Sequence, residues 1–94
     1  MADNAPPKPN PRQGQVLAYI YWYTKVNRRP PAEADIAAYF SITAPSAHQM
    51  VLRLESSGFI SRTPRTARSF QVLLPLSQLP ALEEPPTATR GGTP

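Results

Sequence analysis

Cysteine is missing from the 94-residue sequence, and histidine occurs once, as His48. Without thiols, neither a disulfide framework nor a thiolate zinc site can form. The sequence places no group of carboxylates around His48 and no nucleophile with it. We therefore expect no metal, no cofactor, no small-molecule ligand and no enzymatic activity. A binding module is the class that remains.

Long apolar runs are also missing. The opening residues, MADNAPPKPNPR, lack the apolar stretch of a signal peptide, and no later segment is apolar over the length that spans a membrane. We therefore expect an intracellular, cytoplasmic protein without a membrane partner.

Acidic residues are fewer than basic ones, because six Asp and Glu stand against ten Lys and Arg, for a formal net charge of +4. This balance favours an anionic partner such as nucleic acid, and a soluble domain with a slightly basic surface is the alternative. A chain of this length holds one compact domain.

Proline divides the chain into three parts. Nine of the 13 prolines lie in residues 1–11 and 75–94, and proline fixes φ and donates no amide hydrogen. We expect a disordered N-terminal tail over residues 1–10, a folded domain over residues 11–74 and a disordered C-terminal tail over residues 75–94. The alternative for the C-terminal tail is that it packs on the domain or on a partner through Leu76, Leu79 and Leu82.

Three helices are predicted between the tails, because apolar residues recur at spacings of three and four. The first helix covers about residues 12–25 and the second about residues 33–40. The third begins after Thr43 as its N-cap and ends at Gly58.

After Gly58 the apolar period changes to two, and residues 59–63 and 69–73 predict two strands joined by a turn. The fold class is therefore mainly α with a small β-hairpin, a three-helix winged helix-turn-helix with disordered proline-rich termini. In a basic domain this order of elements indicates DNA binding.

The third helix is expected to bury one face and to offer the other to the major groove. Its outward positions carry small or hydrogen-bonding side chains, and no carboxylate precedes Glu55. Gln49 can pair with adenine, and Arg53 with guanine or phosphate. We predict base contacts by Ser46, His48, Gln49 and Arg53, and the alternative is that they are ordinary solvated residues.

A second basic cluster lies on the hairpin, where three arginines fall within seven residues and no acid separates them. Guanidinium groups at a hairpin tip can hold phosphate or enter a minor groove, and the alternative is a charged edge that prevents aggregation. Two further arginines precede the second helix. We predict phosphate contacts by Arg62, Arg65, Arg68, Arg28 and Arg29.

Several short motifs follow one another in a characteristic order: Pro11-Arg12-Gln13 with Val16-Leu17 and Ile20, Arg29-Pro30-Pro31, Ala34-Asp35-Ile36-Ala37, Gly58-Phe59-Ile60, and Arg68-Ser69-Phe70-Gln71-Val72-Leu73. In this order and spacing they resemble the N-terminal winged helix-turn-helix DNA-binding domain of the LexA repressor family. The resemblance covers about two thirds of the chain.

The resemblance implies a bacterial repressor domain that reads operator DNA with the start of its third helix and touches phosphate with its wing. Thr43 falls where the family has a serine, and the resemblance implies that it contacts DNA bases as well. Pro45, Ser46, His48 and Gln49 fall on the family's base-contacting positions. None of these four matches the family's usual residue, so the operator sequence is not carried over. The threonine that caps the family's second helix is replaced by Ala32, which costs about 1 kcal/mol unless another group caps the helix.

LexA proteins also have a C-terminal self-cleaving peptidase domain, and this chain is too short to contain one. We expect either an excised domain or a free-standing regulator that cannot switch by self-cleavage. Met1 and the proline-rich end favour the free-standing regulator.

The leading functional hypothesis is double-stranded DNA binding by a small sequence-specific transcriptional regulator at the nucleoid. We expect a homodimer, because one recognition helix reads only a half-site. Tyr21 and Trp22 lie off the apolar stripe of the first helix and are candidate dimer contacts. The alternative is a winged-helix module for protein–protein interaction. RNA binding is disfavoured because the predicted strands lack the surface aromatic residues that base stacking would use.

Overall fold

The computed structural model describes residues 8–84 as three helices followed by a two-stranded sheet. The helices are α1 (Pro11–Asn27), α2 (Glu33–Phe40) and α3 (Ala44–Ser56), and the antiparallel strands are β1 (Ile60–Ser61) and β2 (Gln71–Val72). A short 3-10 helix (Leu76–Gln78) follows. This architecture confirms the predicted winged helix-turn-helix.

Helix α1 begins with a reciprocal cap between Asn10 and Gln13. The Asn10 side-chain oxygen accepts from the Gln13 N–H at 2.7 Å, and the Gln13 side-chain oxygen accepts from the Asn10 N–H at 3.0 Å. Pro11 occupies the first turn, where an amide hydrogen has no helical partner. Arg28, in the left-handed region at φ 64°, ends the helix.

The turn between α2 and α3 orients α3. Helix α2 ends where Ser41 enters the left-handed region at φ 56°, and α3 starts at the predicted N-cap, Thr43. The Thr43 hydroxyl oxygen accepts from the Ser46 N–H at 3.2 Å. After α3, Gly58 takes φ 81°, which favours glycine and turns the chain into β1.

The core lies where the three helices meet the hairpin. Its fully buried members come from every one of these elements: Val16, Leu17, Ile20, Ile36, Val51, Leu54 and Ile60. Pro31, between α1 and α2, is buried with them and fixes the path of that loop. The core therefore sets the angle between α3 and the hairpin.

Tyr19 packs between α1 and α2 and is only 8% exposed. Burial, and secondarily the charge of Asp35, raises its pKa from 10.0 to about 12. The folded state therefore keeps the phenol proton at a pH where the unfolded chain loses it. The free energy of unfolding is expected to fall as pH rises from about 10 to about 12. Urea unfolding across this range checks the result.

The control for this prediction is Tyr19→Phe, which keeps the ring and removes the titrating group. Burial also raises the pKa of Tyr39, which acts in the same direction. We expect the slope of stability against pH to be smaller in the Tyr19→Phe protein but still present. Equal slopes in the two proteins would contradict the assignment to Tyr19.

The hairpin strands are shorter than predicted. Only two residue pairs form the ladder, Ile60 with Val72 and Ser61 with Gln71. Beyond them the Ser69 hydroxyl accepts from the Thr63 N–H at 2.9 Å, so a side chain takes the place of a ladder bond. The intervening loop forms a compact wing tip rather than an extension of the strands.

Residues 79–84, here called the C-terminal strap, lie across α1 and α2. The Gln15 side chain donates to the Ala81 carbonyl at 2.9 Å and accepts from the Glu83 N–H at 2.8 Å. The Tyr39 hydroxyl donates to the Glu83 carbonyl at 2.7 Å. A Cβ added at Gly14 would lie 3.0 Å from the Pro80 ring, so glycine permits this close approach.

The strap lies within the proline-rich tail predicted over residues 75–94. Leu79 and Leu82 pack against the core, whereas Leu76 stays exposed. Burial of these two leucines and the hydrogen bonds from α1 and α2 give the segment a fixed place. Residues 1–7 and 85–94, which belong to the two predicted tails, lie outside the described residues. Within residues 8–84, no helix is long and apolar enough to cross a membrane.

Candidate nucleic-acid interface

Helix α3 divides into a buried and an exposed face as the sequence predicts. Ala47, Val51 and Leu54 are buried, with Met50 partly buried beside them. The predicted base-contacting side chains are all exposed: Thr43, Ser46, His48, Gln49 and Arg53. Pro45 is exposed with them. Because α2 packs along α3 from behind, this face is open to solvent.

A shallow groove of about 480 Å³ separates the start of α1 from α3. Ser46, Gln49 and Arg53 line it from α3, and Arg12 lines it from α1. Arg12 is exposed, and no acid within residues 8–84 lies within ion-pair distance of it. The structure thus adds Arg12 to the predicted cationic residues.

His48 lies on the side of α3 that faces the start of α2. Its Nδ1 lies 3.0 Å and 3.2 Å from the two carboxylate oxygens of Glu33. The His48 side chain remains 47% exposed. The pair joins the recognition helix to the first turn of the helix behind it.

Arg62, on the wing, bridges two carboxylates. Its Nε donates to Glu55 of α3 at 3.1 Å, and its Nη1 lies 3.5 Å from Glu33 of α2. The guanidinium group therefore holds the wing against both helices. Its one positive charge also offsets part of the negative charge of Glu33 and Glu55 beside the exposed face of α3.

Arg68 fixes the other end of the wing loop. Its Nη1 donates to the Asp35 carboxylate at 2.9 Å and to the Tyr23 hydroxyl at 3.1 Å. The hydrogen bond with Tyr23, followed by the charge of Asp35, outweighs desolvation and raises the pKa of Arg68. The Asp35 carboxylate also accepts from the Ala32 N–H at 2.8 Å, which supplies a partner at the start of α2 where Ala32 has no capping side chain.

Arg65 stands at the tip of the wing and is exposed. It adopts φ 61°, in the left-handed region, at the point where the loop reverses. Within the described residues no carboxylate pairs with it, and the same holds for the exposed Arg28 and Arg29 after α1. The three wing arginines line one surface depression, and Arg28 and Arg29 lie outside it.

Sequence reasoning missed the acidic partners of the wing. From the sequence, neither Glu33 nor Asp35 is assigned an ion-pair partner, and Glu55 is only the first acid of α3. A signal in the sequence was that three of the six acids lie on α2 and α3, whereas the wing is basic. Arg12 was a motif residue without an assigned role, although its place in the first turn of α1 indicated exposure.

Comparison with known proteins identifies the fold family. The LexA DNA binding domain family matches residues 8–69. This chain belongs to the LexA DNA-binding domain family. The resemblance inferred from the sequence motifs is thereby confirmed, and the matched family is a DNA-binding domain.

Individual LexA repressors are also similar to this chain in sequence. The LexA repressor of Thermosipho africanus is 40% identical over 62 residues, which cover 66% of this chain and 31% of that protein. The LexA repressor of Thermosipho melanesiensis is 37% identical over the same length. That of Magnetococcus marinus is 32% identical over 80 residues, or 85% of this chain and 35% of that protein. The chain spans about a third of the length of these curated relatives.

The LexA-type domain offers no metal site in the part of the chain that the structure describes, where no three His, Asp or Glu side chains come together. Its acidic residues on α2 and α3 pair with arginine or histidine instead. The chemistry of this surface is therefore charge pairing and hydrogen bonding.

Proposed function

We propose that this protein is a sequence-specific transcriptional repressor that places the start of α3 in the major groove of double-stranded DNA. One observation carries the proposal. Each carboxylate on α2 and α3 lies within ion-pair distance of an arginine: Glu33 and Glu55 of Arg62, and Asp35 of Arg68. The negative charge nearest the exposed face of α3 is therefore reduced where that face approaches a polyanion, and arginines without an acidic partner among residues 8–84 lie on both sides of it.

The proposed base contacts come from the exposed side of α3. Gln49 suits adenine and Arg53 suits guanine, because each can form two parallel hydrogen bonds with the major-groove edge of that base. Ser46 and His48 supply single hydrogen bonds. The hydroxyl of Thr43 is engaged in capping α3, so its exposed methyl group is the part that would contact a thymine methyl.

The proposed phosphate contacts divide into two kinds. Arg65, Arg28, Arg29 and Arg12 are exposed and can meet phosphate with the whole guanidinium group. Arg62 and Arg68 use Nε or Nη1 for acidic partners on α2 and α3. Their remaining N–H groups are the ones available to phosphate, since a guanidinium carries five donors.

We also propose that the repressor binds DNA as a homodimer in the bacterial cytoplasm. One α3 reads a half-site, and two are needed for a palindromic operator. The outer side of α1 supports this proposal, because Trp22 is 41% exposed and Val26 is 77% exposed. The Trp22 ring contacts that of Tyr21 edge-on with centroids 5.0 Å apart, which forms a continuous apolar surface.

The test is selection of bound sequences from a random pool of DNA duplexes. A sequence-specific dimer enriches a palindrome whose half-sites are centred about 10 base pairs, or a multiple of that, apart. Enrichment of a single half-site would support DNA reading and contradict dimerisation. An unenriched pool, together with no retention of random DNA at low salt, would contradict the proposed function and favour a protein-binding module.

Arg65→Ala gives a sharper prediction about the wing. If Arg65 contacts one phosphate, its removal should lower the slope of log affinity against log salt by about 0.9 and leave the selected sequence unchanged. Titrations over a range of salt concentrations measure the slope. Lys25→Ala is the control for the loss of one positive charge, because Lys25 lies on α1 and is not among the predicted phosphate contacts; its Nζ lies 5.8 Å from the centroid of the Tyr21 ring. Equal slopes for Arg65→Ala and the unchanged protein would remove Arg65 from the interface.

A further inference from the structure

His48 is a proposed base-contacting residue that has an acidic partner within the protein. Both carboxylate oxygens of Glu33 lie within 3.2 Å of its Nδ1. Glu33 is itself held by Arg62 at 3.5 Å and by its position in the first turn of α2. Among residues 8–84, no partner contacts the other ring nitrogen, Nε2.

The partner of Nδ1 determines which nitrogen carries the proton. An ionised carboxylate can only accept hydrogen bonds, so Nδ1 must be the protonated nitrogen. In a neutral imidazole the other nitrogen is then an acceptor. The exposed Nε2 of His48 therefore offers a lone pair, and it cannot donate while the ring is neutral.

The edges of DNA bases discriminate between donors and acceptors. In the major groove, cytosine N4 and adenine N6 donate hydrogen bonds, whereas guanine presents N7 and O6 and thymine presents O4 as acceptors. A lone pair at Nε2 therefore matches cytosine or adenine. It meets guanine or thymine acceptor to acceptor, which forms no hydrogen bond.

From this we infer that Glu33 makes His48 a specific reader of a base amino group in the major groove. His48 is the residue that touches the base, and Glu33 is a positioning residue that fixes the tautomer and the ring orientation. This inference rests on the proposed DNA-binding function. It predicts one operator position per half-site at which cytosine or adenine is preferred because of His48.

The test compares selections from a random duplex pool at pH about 8.5, where imidazole side chains are neutral. We expect His48→Ala to lower the preference for cytosine or adenine at one position by about fivefold, the loss of a single hydrogen bond. Glu33→Gln should act at that same position. The introduced amide can accept a hydrogen bond from a protonated Nδ1 or donate one to an unprotonated Nδ1, so both tautomers of His48 become available. Guanine or thymine should then be selected at that position about as often as cytosine or adenine.

Glu55→Gln is the matched control. It removes the same charge and also takes a partner from Arg62, but it does not contact His48. It should leave the preference at the His48 position unchanged. Thermal unfolding of each variant establishes that the compared proteins are folded.

Three results would overturn the inference while leaving the proposed function intact. The first is a preference for guanine or thymine at the position that His48→Ala relaxes. The second is no change at any position in His48→Ala. The third is an equal change in base preference at the His48 position in Glu33→Gln and Glu55→Gln, which would assign the effect to the lost charge rather than to the tautomer of His48. Failure of the unchanged protein to enrich any sequence would instead contradict the proposed function itself.

Discussion

Ending the chain after Leu74 is expected to lower the free energy of unfolding by about 2 kcal/mol, compared with a chain that ends after Glu84. Removal of the C-terminal strap exposes the surface on which Leu79 and Leu82 pack. Partial burial of each leucine contributes about 1 kcal/mol. The hydrogen bonds from Gln15 and Tyr39 add further stability, and the entropy of ordering the strap offsets part of the total.

Urea unfolding of the two chains measures the difference, and the shorter chain should also show a smaller m-value because it buries less surface. Gln15→Ala provides a matched test of the contact. It should destabilise the chain that ends after Glu84 and have little effect on the chain that ends after Leu74. If both chains have the same free energy of unfolding, the strap does not contribute to stability.

Arg62→Ala is expected to weaken binding to an operator duplex by about tenfold or more at a salt concentration of about 0.15 M. The side chain joins the wing to Glu55 and Glu33. Its loss frees the wing and leaves both carboxylates uncompensated beside the exposed face of α3. Repulsion between these carboxylates and DNA phosphates then adds to the loss of any direct contact.

A double-mutant cycle with Glu55→Gln separates these contributions. If Arg62 compensates Glu55, the Glu55→Gln change should raise the affinity of the Arg62→Ala protein about threefold. The same change should have little effect on affinity when Arg62 is present. If Arg62 acts only by touching phosphate, Glu55→Gln should change affinity by the same factor in both proteins. Affinity is measured by titration of a fluorescent duplex, and circular dichroism checks that α-helix content is unchanged.

The three helices could be predicted from sequence because their determinants are local. Thr43 caps α3 three residues from its partner, Ser46, and Gly58 provides the positive φ that ends the helical region. Apolar spacing then identifies the buried face of α3. These signals lie within one or two turns of helix, which is the range over which sequence periodicity is informative.

The contacts of the wing and the strap could not be predicted in the same way, because they join distant parts of the chain. Arg68 meets Asp35 across 33 positions, and Gln15 meets Ala81 across 66. No local pattern pairs these residues. Proline in residues 75–84 predicts no regular helix or central strand there, but an extended segment can still pack when leucines and backbone groups find partners.

The candidate DNA surface shows a similar division. The exposure of Gln49 and Arg53 follows from helical periodicity, so it was accessible to sequence reasoning. The engagement of His48 by Glu33 depends on how α2 crosses α3, which is a property of the packed core. Sequence therefore predicted which face of α3 is exposed, while the hydrogen-bonding state of His48 required the structure.

The carboxylate of Asp35 couples the start of α2 to the anchoring of the wing, because one residue makes both contacts. The same oxygen, Oδ2, accepts from the Ala32 N–H and from Arg68. A substitution at position 35 thus alters both features at once, so selection on the wing cannot act through this residue without also acting on the helix. A hydroxyl residue at position 32 would cap α2 by itself and leave Asp35 free to evolve with Arg68.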